Sequence, residues 1–261
     1  MLKKRLMGVV TVKNGWAVQS FGYRRYLPLG KPECLVENLD RWGADEILVQ
    51  VIDRSVDGLG PDFKLLERLG SIGLETPLVY AGGVRSVSDG IELIHLGADR
   101  LVVDALLHDD LSSVHRLSEQ LGAQALIGSM PLSLKGNGVE WLDYRNKMLT
   151  PLTDEMLGLI QSCIISEMLI TDWMHEGYPN KFEKKLVEKF PLRDAPIIVF
   201  GGISEPAQMS ELFQLPCVAA VAMGNFLAYR EHAIQKYKEG LQGMPIRASV
   251  YESRYPLTAD D

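Results

Sequence analysis

The chain has 261 residues, 46% hydrophobic and 23% charged, with a net charge of −7 at pH 7. That length suits one large domain with a full core, and the acidic balance excludes a general nucleic-acid or anionic-membrane binder, which needs a basic footprint. No apolar run reaches the roughly 18 residues of a membrane span, so a cytoplasmic protein is expected.

Met1-Leu2-Lys3-Lys4-Arg5 is basic, but a short apolar strand broken by Gly8 and Lys13 follows it, not a signal-peptide core. In chain order, β-rich apolar runs then alternate with segments of helical spacing. Strands are predicted at 6–12, 46–52, 77–81, 100–103, 125–129, 167–171, 196–200 and 218–223. Helices are predicted between and after them at 33–42, 62–69, 88–96, 111–121, 154–163, 182–189, 206–213 and 230–240. The strands are apolar almost without interruption, as expected when both faces are buried. Strict alternation implies a parallel sheet, and a length close to the typical ~250 residues favours closure into a (β/α)8 barrel over an open sheet. The reading is a single domain, 1–261. Residues 131–149 interrupt the pattern, and Gly136-Asn137-Gly138 within them reads as the turn of a small hairpin.

The halves repeat. Pro77-Leu78-Val79-Tyr80-Ala81-Gly82-Gly83-Val84 resembles Pro196-Ile197-Ile198-Val199-Phe200-Gly201-Gly202-Ile203, and Glu46-Ile47-Leu48-Val49 resembles Glu167-Met168-Leu169-Ile170. Two similar half-barrels explain this.

Barrel chemistry gathers at the C-terminal ends of the strands, the top face. Gly82 and Gly83, with Arg85, and Gly201 and Gly202, with Gly224 and Asn225, read as two cradles whose backbone amides could hold a phosphate. The alternative for each pair is a tight strand-to-helix turn. Asp104 beside the first cradle would repel an anion unless it is paired. Asp53, Asp172, His175 and Glu176 follow strands two and six on the same face. At the strand starts, Arg5, Glu46, Arg100 and Glu167 can form a ring of ion pairs across the bottom mouth, or simply plug it. Cys34, Cys163 and Cys217 fit neither a zinc pattern nor a disulfide framework, and buried reduced thiols are expected. With no Ser-His-Asp order, metal cluster or dinucleotide fingerprint in the sequence, no metal and no cofactor are expected.

The chain resembles the cyclase subunit of imidazole glycerol phosphate synthase over nearly its whole length. The resemblance is carried by Lys4-Arg5 with Lys13-Asn14-Gly15, Gly43-Ala44-Asp45-Glu46, Ala81-Gly82-Gly83-Val84-Arg85, Gly97-Ala98-Asp99-Arg100, Gly122-Ala123-Gln124-Ala125, Glu167-Met168-Leu169-Ile170 and Phe200-Gly201-Gly202. It implies a two-fold repeated barrel, a glutaminase subunit docked on the bottom, and ammonia crossing to the top face. The implied gate is one arginine, two glutamates and a lysine. Arg5, Glu46 and Glu167 match it, and Arg100 stands where the lysine is expected. Asp99 falls near the implied partner interface. The resemblance also implies an acid–base aspartate at the top of strand one and another at the top of strand five, positions read here as Thr11 and Met130.

A kept gate and a lost acid–base pair fit the paralogues that help supply ammonia to a separate amidotransferase, which amidates a nucleotide sugar in bacterial surface-polysaccharide (LPS O-antigen) synthesis. The leading reading is therefore an ammonia-conducting subunit with little covalent chemistry of its own. One alternative is a true histidine-pathway cyclase, a lyase, with Asp53, Asp172 or His175 as relocated acid–base groups. Another is a sugar-phosphate-binding scaffold or glutaminase activator. Whether the chain is itself an enzyme stays open between them.

Overall fold

Along the first strand, β1 (Arg5–Lys13), neighbouring side chains enter different apolar clusters. Met7 and Val9 belong to a small inner cluster, whereas Leu6, Val10 and Val12 belong to a large outer one. The alternation is that of a strand buried on both faces. The other seven wall strands divide in the same way, which makes the inner cluster the lumen of a barrel and the outer cluster its seam with the helices.

The structure, a computed structural model, describes residues 3–251. After β1 come β2 (Trp16–Phe21), β3 (Arg25–Gly30), α1 (Pro32–Arg41), β4 (Glu46–Val51), α2 (Phe63–Gly70), β5 (Leu78–Ala81), α3 (Val87–His95) and β6 (Arg100–Val103). The chain continues with α4 (Ala105–Asp109), α5 (Leu111–Leu121), β7 (Leu126–Lys135), β8 (Gly138–Asp143), β9 (Met148–Thr150), α6 (Asp154–Gln161) and β10 (Glu167–Asp172). It ends with α7 (Lys185–Glu188), β11 (Ile197–Phe200), α8 (Pro206–Phe213), β12 (Val218–Met223), a 3-10 turn (Asn225–Tyr229) and α9 (Ala233–Gly240). Strands β1, β4, β5, β6, β7, β10, β11 and β12 pair in parallel in that order, and β12 pairs back onto β1 with Arg5 opposite Ala220. This is the expected (β/α)8 barrel.

Helix starts are fixed locally. Asp62, Ser86, Asp110 and Thr153 each accept a hydrogen bond from an amide three residues on, at 3.1–3.3 Å. Each such cap stabilises its helix by about 1 kcal/mol.

The half-barrel repeat extends beyond the wall. Both β1 and β7 overrun it and fold back into antiparallel hairpins, β1–β2–β3 and β7–β8–β9. The second was expected from Gly136-Asn137-Gly138. The first was not, although Asn14 and Gly15 at φ 50° and 76° form the two-residue turn that Asn-Gly favours.

Several expectations need correction. The helix expected at 182–189 shrinks to α7 because the Phe182 amide is bound to the Gly202 carbonyl at 3.1 Å. The last helix starts three residues late because His232 is left-handed, at φ 56°. The thiols are free, but Cys34 and Cys163 are exposed and Cys217 is half-buried, since they lie at helix surfaces and turns rather than in the core. No helix among the described residues is long and apolar enough to cross a membrane.

Candidate functional site

At the bottom mouth Arg5, Glu46, Arg100 and Glu167 open their strands and meet. Arg5 Nη1 lies 3.0 Å from Glu46 Oε2, and its Nη2 pairs with Glu167 Oε1. Arg100 Nη1 lies 3.0 Å from Glu46 Oε1 and 2.6 Å from Glu167 Oε2. Each cation touches both anions, so the ring is closed and its formal charges cancel. Arg100 is held further by Gln124 O at 2.9 Å and Ser166 Oγ at 3.0 Å. Asp99 is exposed near this mouth, but one of its oxygens accepts the Leu78 amide at 2.7 Å, so it also fixes the start of β5.

Above the ring the lumen is apolar, lined by residues such as Met7, Leu48, Val102, Leu169, Ala220 and Ala222. Two residues further up, the same inward parity brings Thr11, Gln50, Ser129 and Thr171 to the upper lumen on four strands, and Gly83, Asp104, Gly202 and Gly224 on the other four. Thr11 pairs with Gln50 in register, and Thr171 pairs with Pro131. Of these eight positions Asp104 alone carries a carboxylate, which accepts from Ser55 and Tyr144.

Tyr23 packs against the lumen cluster from the hairpin side. It is carried by the β2–β3 turn, and Gln50 Nε2 approaches its hydroxyl at 3.5 Å. Burial, then the nearby Glu176 carboxylate, pushes the Tyr23 phenol well above its usual range, so it stays protonated. Gln50 Oε1 is buried with no hydrogen-bond partner.

The hairpins are held by related but unlike polar clusters. In the first half Gly83 N donates to Ser55 Oγ at 3.0 Å, Ser55 Oγ donates to Asp104 at 3.3 Å, and the Tyr144 hydroxyl donates to Asp104. In the second half Ser20 Oγ and Tyr23 N donate to Glu176 Oε2 at 2.9 and 3.3 Å, and Asn225 holds the Ser20 backbone through two bonds at 2.6 and 3.1 Å. Burial raises the Glu176 carboxyl above its usual range, and the Ser20 hydroxyl and nearby amides oppose the rise.

The glycine pairs answer first to packing. A Cβ on Gly82 would lie 2.2 Å from Val51 O, and one on Gly201 would lie 2.6 Å from Asp172 O. The first cradle is the more encumbered of the two. Its Gly83 amide is used by Ser55, Arg85 turns away to Gly58 O, and the Asp104 carboxylate stands beside it. In the second, the amides of Gly202 and Ile203 find no acceptor among the described residues.

Of the relocated acid–base candidates Asp172 and His175 pair with each other, away from the lumen, and Asp53 is bound elsewhere. Asp53 is buried, with one oxygen on Asn14 N at 2.6 Å and the other unpartnered. Asp172 follows the inward Thr171 and so faces away from the lumen. It accepts Glu183 N at 2.8 Å and pairs with His175 Nδ1 at 2.8 Å. Among the described residues no group of three or more His, Cys, Asp or Glu could hold a metal ion.

A family profile described as "Histidine biosynthesis protein" matches residues 5–233. The chain belongs to the histidine biosynthesis protein family. It is 27% identical over 258 residues to the imidazole glycerol phosphate synthase subunit HisF of Thermococcus gammatolerans, covering 95% of this chain and 99% of that one. It is 25% identical to proteins of Vibrio vulnificus and Campylobacter jejuni, each named "Putative imidazole glycerol phosphate synthase subunit hisF2". Those matches cover 89% of this chain and 86% of the Vibrio protein, and 95% and 99% for the Campylobacter pair.

Within this family of cyclase-like subunits, the upper lumen departs from what the resemblance implied. Thr11 does face the lumen, without a carboxylate. Met130 does not, because its side chain belongs to the outer cluster under the helices. The inward positions near the top of the fifth wall strand are Ser129 and Pro131, by the parity of Ile127. No aspartate stands at either position.

Proposed function

We propose that the chain is the ammonia-conducting subunit of a glutamine amidotransferase system. In this reading a glutaminase docks on the bottom face, and ammonia passes the Arg5–Glu46–Arg100–Glu167 ring and leaves at the top. A separate sugar amidotransferase takes it up to amidate a nucleotide sugar for surface polysaccharide.

The observation that carries the reading is the closed, neutral ring beneath an apolar lumen. Uncharged ammonia crosses an apolar lumen at far lower cost than ammonium, whose charge would be buried without a partner. The orphaned Gln50 Oε1 offers an acceptor for an ammonia N–H near the top. The upper layer offers hydroxyls, the Gln50 amide and a single carboxylate, Asp104, already tied to Ser55 and Tyr144, and so supplies no pair of carboxylates for a cyclisation. In this reading a small phosphorylated ligand binds the second half, beside Gly201, Gly202 and Gly224, where the Gly202 and Ile203 amides find no acceptor among the described residues.

The test is an assay with the cognate glutaminase and an ammonia-consuming acceptor enzyme. Replacing Arg5 or Glu167 by alanine should let ammonia escape into solution while glutamine hydrolysis continues. Intact coupling in both variants, or no glutaminase binding to the bottom face, rejects the conduit.

A further inference from the structure

On the outer side of the barrel wall, between β1, the β2–β3 hairpin, α1 and the last 3-10 turn, lies a cavity of about 190 Å³. Its apolar walls include Val10, Val18, Leu29, Leu39, Trp42 and Leu227, and none of its lining residues carries a charge. The polar side chains at its edge are largely committed. Asn225 is spent on Ser20, and Asn38 Oδ1 accepts Arg41 Nη2 at 2.6 Å.

We propose that this cavity binds a compact, neutral apolar ligand of one or two fused rings, and that the ligand locks the β2–β3 hairpin closed. An enclosed apolar cavity of about 150 Å³ accepts benzene, so this pocket, which is partly open to solvent, has room for a ring. A charged ligand would lose its hydration here with nothing to replace it.

The coupling follows from who builds the walls. Val18 is on β2 and Leu29 on β3, so lifting the hairpin removes one side of the site. Asn225, at the cavity edge, is the residue that holds Ser20. Tyr23, at the hairpin tip, sits in the lumen. A ligand that needs Val18 and Leu29 in place binds only the closed form and shifts the population towards it. The site is thus a control point outside the conduit, and it needs no glutaminase to be tested.

The probes are benzene and indole, added to the full chain carrying 5-fluorotryptophan, with the Trp42 ¹⁹F resonance assigned through Trp42→Phe. A saturable shift of the Trp42 signal is expected, without matching shifts at Trp141 and Trp173. With probe at ten times its Kd, amide exchange across 16–30 should slow about tenfold, the factor that mass action gives for closed-form binding. Ala228→Phe at the exposed rim, or Leu35→Trp on α1 should the first variant fail to fold, fills the cavity and should abolish both effects. No saturable shift, binding that leaves hairpin exchange unchanged, or binding that survives in a folded filled variant overturns the proposal.

Discussion

Tyr23 and Tyr144 hold equivalent places in the two half-barrels, yet Tyr23 buries its ring in the lumen while Tyr144 donates its hydroxyl to Asp104. The offset that relates Glu46 to Glu167 relates this pair too, as well as Ser55 to Glu176 and Asp104 to Asn225. Each half has one carboxylate and one neutral partner, but on opposite members of the pair. Where the carboxylate ends the strand, as Asp104 does, it captures the tyrosine hydroxyl. Where it lies on the preceding loop, as Glu176 does, it captures the Tyr23 amide and Ser20 instead, and the ring is free to enter the barrel.

Tyr23 should therefore be the main fastener of its hairpin. Tyr23→Ala removes a buried aromatic, a loss of about 3 kcal/mol for such truncations. If that loss falls on hairpin opening, amide exchange across 16–30 accelerates about a hundredfold, while the exchange of β5 and β11 stays unchanged. Equal acceleration throughout the barrel would show that the ring supports the whole fold.

The same hairpin should respond to pH through Glu176. Burial raises its folded carboxyl above the unfolded value, so the folded state binds the proton more tightly. The resulting stabilisation is fully present below the unfolded value and is lost as pH rises through the folded one. Hairpin exchange should accordingly slow on acidification across that window, and Glu176→Gln should keep it slow and remove the pH dependence. The readout must be local, because Glu33 and Asp143, whose carboxyls are held below their usual range, pull global stability the opposite way. Unchanged pH dependence in Glu176→Gln would assign it to another group.

Inorganic phosphate should distinguish the two halves. Its addition is expected to shift the amide resonances of Gly202 and Ile203 and leave Gly83 unmoved, since Gly83 already donates to Ser55 beside the Asp104 carboxylate. Shifts confined to Gly83 would contradict this assignment.

Cyclase turnover with free ammonia and the histidine-pathway intermediate should be negligible. Loss of one general acid or base costs about 10²–10⁴ in rate, and two inward positions lack a carboxylate here. A turnover matching histidine-pathway cyclases would restore that reading.

The wall and ring were legible because both depend on local pattern. Apolar runs mark the strands, and a charge at the first residue of a strand points into the mouth. Met130 was misplaced because β7 is buried on both faces from Leu126 to Leu132, so its hydrophobicity conceals the alternation that separates Ser129 and Pro131 from Met130. The first hairpin had a signal in Asn14-Gly15. The descent of Tyr23 into the lumen had none, since it depends on Glu176 and Asn225, far along the chain.

The ring makes a prediction in which stability and conduction separate. Its four side chains are largely buried, with relative exposures of 7–20%. Removing one partner strands a buried charge, so Glu46→Ala or Arg100→Ala should each cost about 3–5 kcal/mol by urea denaturation. Replacing all four by methionine and leucine of similar volume strands none, and buried ion networks so replaced are often neutral or more stable by about 1–4 kcal/mol. The quadruple variant should thus fold at least as well as the native chain. If the ring only plugs the mouth, this variant stays coupled to its glutaminase. If the ring passes ammonia, the apolar plug blocks it: glutamine-dependent product is lost, while product from externally added ammonium remains. A quadruple variant that is well folded and fully coupled would leave the ring a structural seal.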